Sequence, residues 1–133
     1  MKGARVTLTI PTSPGEFLDK LAILEIKSER MSEPAKLANV RRELALLRET
    51  WAASPLSVRD VSALVAQLKQ VNETLWDVED ALRAREAQQR FDAEFVELAR
   101  SVYRTNDQRA AIKRELNVAL GSDILEEKSY TQY

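Results

Sequence analysis

Apolar side chains recur along most of this chain at alternating steps of three and four residues. At about 3.6 residues per turn, this spacing places successive side chains on one face of an α-helix. A half-buried strand would instead alternate at every second residue. The longest series comprises Val61, Leu64, Leu68, Val71, Leu75, Val78 and Leu82. The pattern therefore predicts an all-α fold.

Breaks rich in proline, serine and glycine divide the stripes into separate helices. Ser13 is suited to cap the first helix, with Glu16 as its reciprocal partner, while Ser57 and Asp92 are suited to cap later helices. The predicted elements of this single domain, residues 1–133, are helices at 14–31, 33–52, 57–89 and 92–120 and a tail at 121–133. Short turns favour two antiparallel hairpins, of which the third and fourth helices form the longer, coiled-coil-like one.

The segment before the first helix has a different periodicity. From Val6 to Ile10, apolar residues alternate with Thr7 and Thr9, which predicts a short N-terminal β-strand. A lone strand has unpaired backbone groups on both edges and needs a partner. We expect that partner to be the tail or the same strand of a second chain.

The composition limits the chemistry that this chain can perform. It contains no cysteine and no histidine. This excludes disulfides, histidine-ligated zinc and Cys–His nucleophile pairs. The formal net charge of -1 does not suggest a nucleic-acid partner. The start lacks the apolar run of a signal peptide and no segment reaches spanning length, so we expect a cytoplasmic protein without membrane insertion and without a cofactor.

The apolar stripe of the predicted fourth helix is interrupted by polar residues between Val102 and Lys113. On a helical wheel, Arg109 and Lys113 fall about 20° either side of the centre of the stripe, and Asn106 about 40° away. Two cations thus occupy the middle of a face that should be buried. In the predicted hairpin, Arg109 lies opposite Asn72 and Glu73.

Two interpretations of this interruption stay open. In the preferred one it is a structural polar layer, in which Arg109 pairs with Glu73 or with a carboxylate of the first helix. In the other it is an anion site, because cations, amides and hydroxyls are the donors that a phosphate or carboxylate needs. The residues of that candidate ligand-binding site are Tyr103, Asn106, Arg109 and Lys113.

A third hypothesis rests on acidic residues of the predicted third helix. Glu73 and Asp77 are one turn apart, a spacing that can hold Mg²⁺ in all-helical phosphohydrolases. Asp77 lies well off the apolar stripe, however, so a solvated helix face is the preferred interpretation. We accordingly assign no catalytic residue and no metal ligand.

Four segments carry a resemblance to a known family: "SPGEFLDKLAILEIKSERM", "LWDVEDALR", "FVELARSVYRTNDQRAAIKRELN" and "GSDILEEKSY". Together, and in this order, they resemble a family of small uncharacterised bacterial proteins. Members of that family stand alone or accompany surface-polysaccharide and glycosyltransferase proteins. The resemblance implies a bacterial origin and a link to glycan assembly, but it assigns no reaction and no site residue.

These observations predict a non-catalytic helical module for interaction or oligomerisation, accessory to bacterial surface-glycan assembly. We expect a homo-oligomer, with a glycosyltransferase-type protein as a further partner. The main alternative is a binding protein or enzyme for an anionic metabolite such as a sugar nucleotide or phosphate. The Mg²⁺-dependent phosphohydrolase ranks third.

Overall fold

The computed structural model describes residues 6–133, and within them the fold is all-helical. Its elements are α1 (Pro14–Arg30), α2 (Pro34–Ala53), a short 3-10 helix (Pro55–Val58), α3 (Ser62–Ala87) and α4 (Ala93–Ala119). Across this described part, no helix combines the length and the apolar character needed to cross a lipid bilayer.

The central helix is α1, which packs against each of the other three α-helices. Its start is fixed as the sequence predicts, because the Ser13 hydroxyl accepts a hydrogen bond from the Glu16 amide at 3.2 Å and Pro14 is the first helical residue. The buried side chains lie on more than one face of the helix: Leu18, Asp19, Leu21, Ala22, Leu24 and Ile26. An element surrounded in this way sets the geometry of the whole domain.

The long hairpin of α3 and α4 confirms the packing predicted from their stripes. Its turn places Gln89 at a φ of 56° and lets the Asp92 carboxylate accept a hydrogen bond from the Phe95 amide at 3.1 Å. The start of α3 differs from the prediction. Ser57 belongs to the 3-10 helix, and α3 begins only at Ser62.

The core consists of two groups of side chains, one on each side of α1. The first group joins α1 to the long hairpin and comprises Leu18, Leu68, Ile112, Leu116 and Leu120. The second joins α1 to α2 and comprises Leu21, Leu24, Val40 and Leu44. Within the described residues α2 packs only on α1 and the 3-10 helix, so the order of the layers is α2, α1, then the hairpin.

The prediction of an N-terminal β-strand is wrong. Residues 6–10 have no strand structure, and Val6, Leu8 and Ile10 are 78–88% exposed. Alternation of apolar residues is only a necessary condition, since a strand exists when a second strand satisfies its backbone groups. The tail, the partner expected within the chain, also lacks strand structure.

The backbones of α1 and α4 come into direct contact at Gly15. The Gly15 amide donates a hydrogen bond to the Asn117 side-chain oxygen at 2.7 Å. A Cβ atom added at residue 15 would lie 2.5 Å from the carbonyl oxygen of Lys113 and 2.7 Å from the Asn117 side-chain oxygen. Only glycine therefore permits this crossing of the two helices.

We predict that Gly15→Ala destabilises the fold by about 1–3 kcal/mol, because the Lys113 carbonyl belongs to a helix backbone and cannot move aside cheaply. This loss should occur although alanine is the better helix former. Chemical denaturation measures it, with Lys20→Ala, on the exposed side of the same helix, as the matched control. Equal stability of the two variants would contradict the close approach.

Candidate functional site

A buried carboxylate joins α1, α3 and α4. Asp19 of α1 is only 1% exposed. The guanidinium of Arg109 donates two hydrogen bonds to this carboxylate, from Nε to Oδ1 at 3.0 Å and from Nη2 to Oδ2. The Asn72 amide of α3 donates a third bond to Oδ1 at 2.8 Å. A bidentate pair with this additional donor satisfies the charge that burial would otherwise penalise.

One helical turn along α4, Lys113 forms a second ion pair. It is 8% exposed, and its amine contacts Glu16 of α1 at 2.8 Å and Glu126 of the tail at 2.9 Å. Acids three residues apart on α1 thus face cations four residues apart on α4. We call Glu16, Asp19, Asn72, Arg109 and Lys113 the polar seam.

The ion pairs and hydrogen bonds around the polar seam stabilise the charged forms of its side chains. The hydrogen bond to Asp19 is the largest influence on the pKa of Arg109 and raises it. Burial by itself lowers the pKa of Lys113, but hydrogen bonds with Glu16 and Glu126 outweigh burial, so this pKa is raised. The hydrogen bond with Lys113 lowers the pKa of Glu126. Both cations therefore stay charged and already hold anionic partners.

The tail, residues 122–133, lies along α4 without regular secondary structure. Besides the contact of Glu126 with Lys113, Glu127 lies 3.6 Å from Arg114. Near the end of the chain, the Tyr133 hydroxyl donates a hydrogen bond to Asp107. These contacts place the tail over part of the polar interruption that the sequence shows.

The four residues of the predicted anion site do not converge on one pocket. Arg109 and Asn106 line an open cleft of about 550 Å³ beside Trp76. Lys113 instead lies beneath the tail, and the ring of Tyr103 contacts that of Tyr133, with centroids 4.9 Å apart. Anion binding at these residues stays a prediction.

Sequence reasoning missed Asp19 and Glu126, the acids that neutralise the two cations. The preferred interpretation did allow a carboxylate of the first helix as the partner of Arg109. The spacing of Glu16 and Asp19 opposite Arg109 and Lys113 is a signal that could have identified the pair. Glu73, the other proposed partner, lies 3.6 Å from Arg30.

The acids of the phosphohydrolase hypothesis share a cation. Asp77 lies 2.6 Å from the Arg30 guanidinium, which also contacts Glu73 and lies over the Trp76 ring at 5.9 Å. Among residues 6–133, no group of three or more acidic side chains is placed to hold a metal ion. The geometry gives no support to a Mg²⁺ site at Glu73 and Asp77.

Comparison with known proteins identifies a family but no activity. The model of a family described as "Family of unknown function (DUF6165)" matches residues 8–133. No curated protein and no solved structure matches the chain.

We predict that Arg109→Ala lowers the free energy of unfolding by about 3–5 kcal/mol, because it leaves Asp19 buried without its partner. Arg109→Met should cost less than Arg109→Ala, since it refills the volume. The double variant Asp19→Leu/Arg109→Met should recover most of the loss by removing both charges. Denaturation of all four proteins measures these differences. A higher melting temperature for Arg109→Ala would show that the two seam cations repel each other more than they bind Asp19.

We also predict that the contact between Glu126 and Lys113 weakens in acid. The pKa of Glu126 is lower when the tail is docked, so the released tail binds more protons as pH falls. Docking is therefore fully favourable above the ordinary glutamate value of about 4.3 and is lost as pH falls through the lowered pKa. A ¹³C NMR titration of the Glu126 carboxyl measures the midpoint. Lys113→Met should raise that midpoint, and an unchanged midpoint would contradict the pairing.

Proposed function

The chain belongs to this family of unknown function, and we propose that it is a non-catalytic helical interaction module that self-associates through the outer half of its long hairpin. We call that outer half, residues 73–104, the arm. The observation that carries the proposal is the exposure of the apolar seam of the arm. Further along the hairpin, the same kind of seam is covered by α1.

Burial along the hairpin changes abruptly at the arm. The buried residues of α3 end at Asn72, and those of α4 resume at Thr105. Between them no residue of this fully described stretch is buried. Its apolar seam is only half-buried and consists of Leu75, Val78, Leu82, Phe95, Leu98 and Val102. Two helices alone cannot enclose a seam that a third element would cover.

The total surface supports the same proposal. The accessible surface of the chain is 9588 Å². A compact monomer of 15.1 kDa would expose about 7,100 Å². The difference of about 2,500 Å² exceeds the roughly 800 Å² that each partner buries in a standard interface.

Several charges on the rim of the arm are already paired within the chain. Arg85 contacts Asp92 at 3.4 Å and also Glu94, and Arg104 contacts Glu97 at 3.2 Å. A second apolar surface can therefore cover the seam without separating these pairs. A second copy of the arm supplies such a surface, because a two-fold arrangement of hairpins forms a four-helix bundle.

A second candidate function, binding of an anionic metabolite, is favoured by one observation. The Arg109 side chain is 27% exposed and lines the open cleft with Asn106. Against it, Glu79 and Asp80 line the same cleft, and Asp19 already neutralises the guanidinium. A thermal-shift screen with phosphate, nucleotides and nucleotide sugars, with and without Mg²⁺, tests this candidate.

The biological setting that the resemblance implies is part of the proposal. We propose a bacterial protein that assists surface-glycan assembly, with a glycosyltransferase-type protein as a partner. A half-covered helical seam is the kind of surface that a helix of such a partner can occupy. Co-purification of the wild-type chain with glycosyltransferases, compared with an arm variant, tests this association.

We predict a dimer or larger assembly at micromolar concentration, with at least twice the 15.1 kDa mass of one chain. Leu82→Glu should weaken self-association at least tenfold, because it places a charge on the seam. The matched control, Ala84→Glu, carries the same charge on an exposed position of α3 and should associate normally. Sedimentation velocity measures the mass, and circular dichroism checks that both variants stay helical. A monomeric wild-type chain at every concentration would overturn the proposal.

A further inference from the structure

The tail is attached to α4 mainly through the ends of its side chains. Glu126 and Glu127 contact Lys113 and Arg114, and the Tyr133 hydroxyl and ring contact Asp107 and Tyr103, about two to three turns closer to the start of α4. From residue 123 to the end of the chain, every residue is exposed. A segment held in this way covers a surface without becoming part of the core.

The surface under the tail has the form of a groove. A space of about 1040 Å³ lies between the last tail residues and α4, bordered by Tyr103, Asn106, Asp107, Tyr130 and Tyr133. A smaller space of about 230 Å³ adjoins Lys113 and is bordered by both Glu126 and Glu127. The tail thus spans the groove from its cationic end to its aromatic end and leaves much of its volume empty.

We propose that this groove is a docking surface for an extended acidic peptide segment of a partner protein, and that the tail is its internal occupant. The occupant shows which chemistry fits. Two consecutive carboxylates reach Lys113 and Arg114, and a tyrosine several residues later packs on Tyr103 and donates to Asp107.

The two ends of the groove offer different contacts to such a segment. The Lys113 amine is largely withdrawn from water, so a carboxylate on it forms a stronger pair than one on the exposed Arg114. At the other end, Tyr103 offers an aromatic face that is 41% exposed. The ligand must therefore carry its acids and its aromatic residue in the same order as the tail.

The tail can be displaced because only one of its ion pairs, between Glu126 and Lys113, involves a largely buried partner. The pair between Glu127 and Arg114 is exposed on both sides, and exposed ion pairs add little stability. The tail has the advantage of being tethered, which corresponds to an effective concentration on the order of millimolar. A partner segment must overcome this advantage, so docking selects segments that fill the groove better than the tail. Apart from Val102 and Tyr103 at the inner end of the arm, the groove is formed by residues outside the arm, and peptide docking does not depend on self-association.

The test uses a labelled synthetic peptide with the sequence of residues 122–133 and the full-length chain. In an opened variant, Glu126→Gln/Glu127→Gln/Tyr133→Ala, the tail loses its three anchoring side chains. Fluorescence anisotropy should show at least tenfold tighter peptide binding to the opened variant than to the wild type, whose own tail competes. The matched control Thr131→Ala/Gln132→Ala, also in the tail, should bind the peptide as weakly as the wild type.

Two further variants of the opened chain and one altered peptide test which side chains form the contacts between peptide and groove. A peptide with glutamine at both acidic positions and alanine at the final tyrosine should bind the opened variant at least tenfold more weakly. Arg114→Glu added to the opened variant should also weaken binding, with its melting curve as the check on folding. Leu82→Glu added to the opened variant should leave peptide binding unchanged, because Leu82 lies in the arm and not in the groove. Equal binding to wild-type and opened chains, no binding to either, or equal binding of both peptides would overturn the proposal.

Discussion

The buried ion pair of Asp19 and Arg109 is the constraint on which the arrangement of three helices depends. A carboxylate withdrawn from water is costly unless its charge and its lone pairs are satisfied. Here one partner comes from α4 and the other, Asn72, from α3. The apolar stripes would tolerate small shifts of helices along one another, but this carboxylate has satisfied partners in only one register. We therefore regard the polar seam as what fixes α1 on the hairpin.

Much of this architecture follows from the sequence by local rules. Stripe periodicity predicts the helices and the long hairpin, and the capping residues Ser13 and Asp92 mark where two of them start. Counting from the turn also places Arg109 opposite Asn72, and the two side chains meet on one carboxylate. These local rules fail where the structure of a segment depends on a partner from elsewhere in the chain. The segment 6–10 has the alternation of a strand, but residues 6–133 contain no neighbouring strand to pair with it.

The candidate site was harder to predict for two physical reasons. Because α1 is apolar on several faces, a helical wheel does not distinguish the buried Asp19 from the exposed acids of the same helix. The tail has no periodicity, so nothing local indicates that Glu126 reaches Lys113. Partners from distant parts of the chain decide whether a buried cation is free or neutralised. Here both cations are neutralised by acids of the same chain.

The ionic groups of the seam and tail also have a consequence for how the protein can respond to its surroundings. They are carboxylates, amines and guanidiniums, and the pKa values of Lys113 and Arg109 are raised while that of Glu126 is lowered. Each shift moves the pKa of the group further from neutral pH. The chain also has no histidine or cysteine whose protonation could change near neutral pH. Cellular changes in acidity or redox state would leave these contacts untouched. If the arm and the groove bind partners as proposed, their occupancy would depend on how much of each partner is present and not on acidity or redox state.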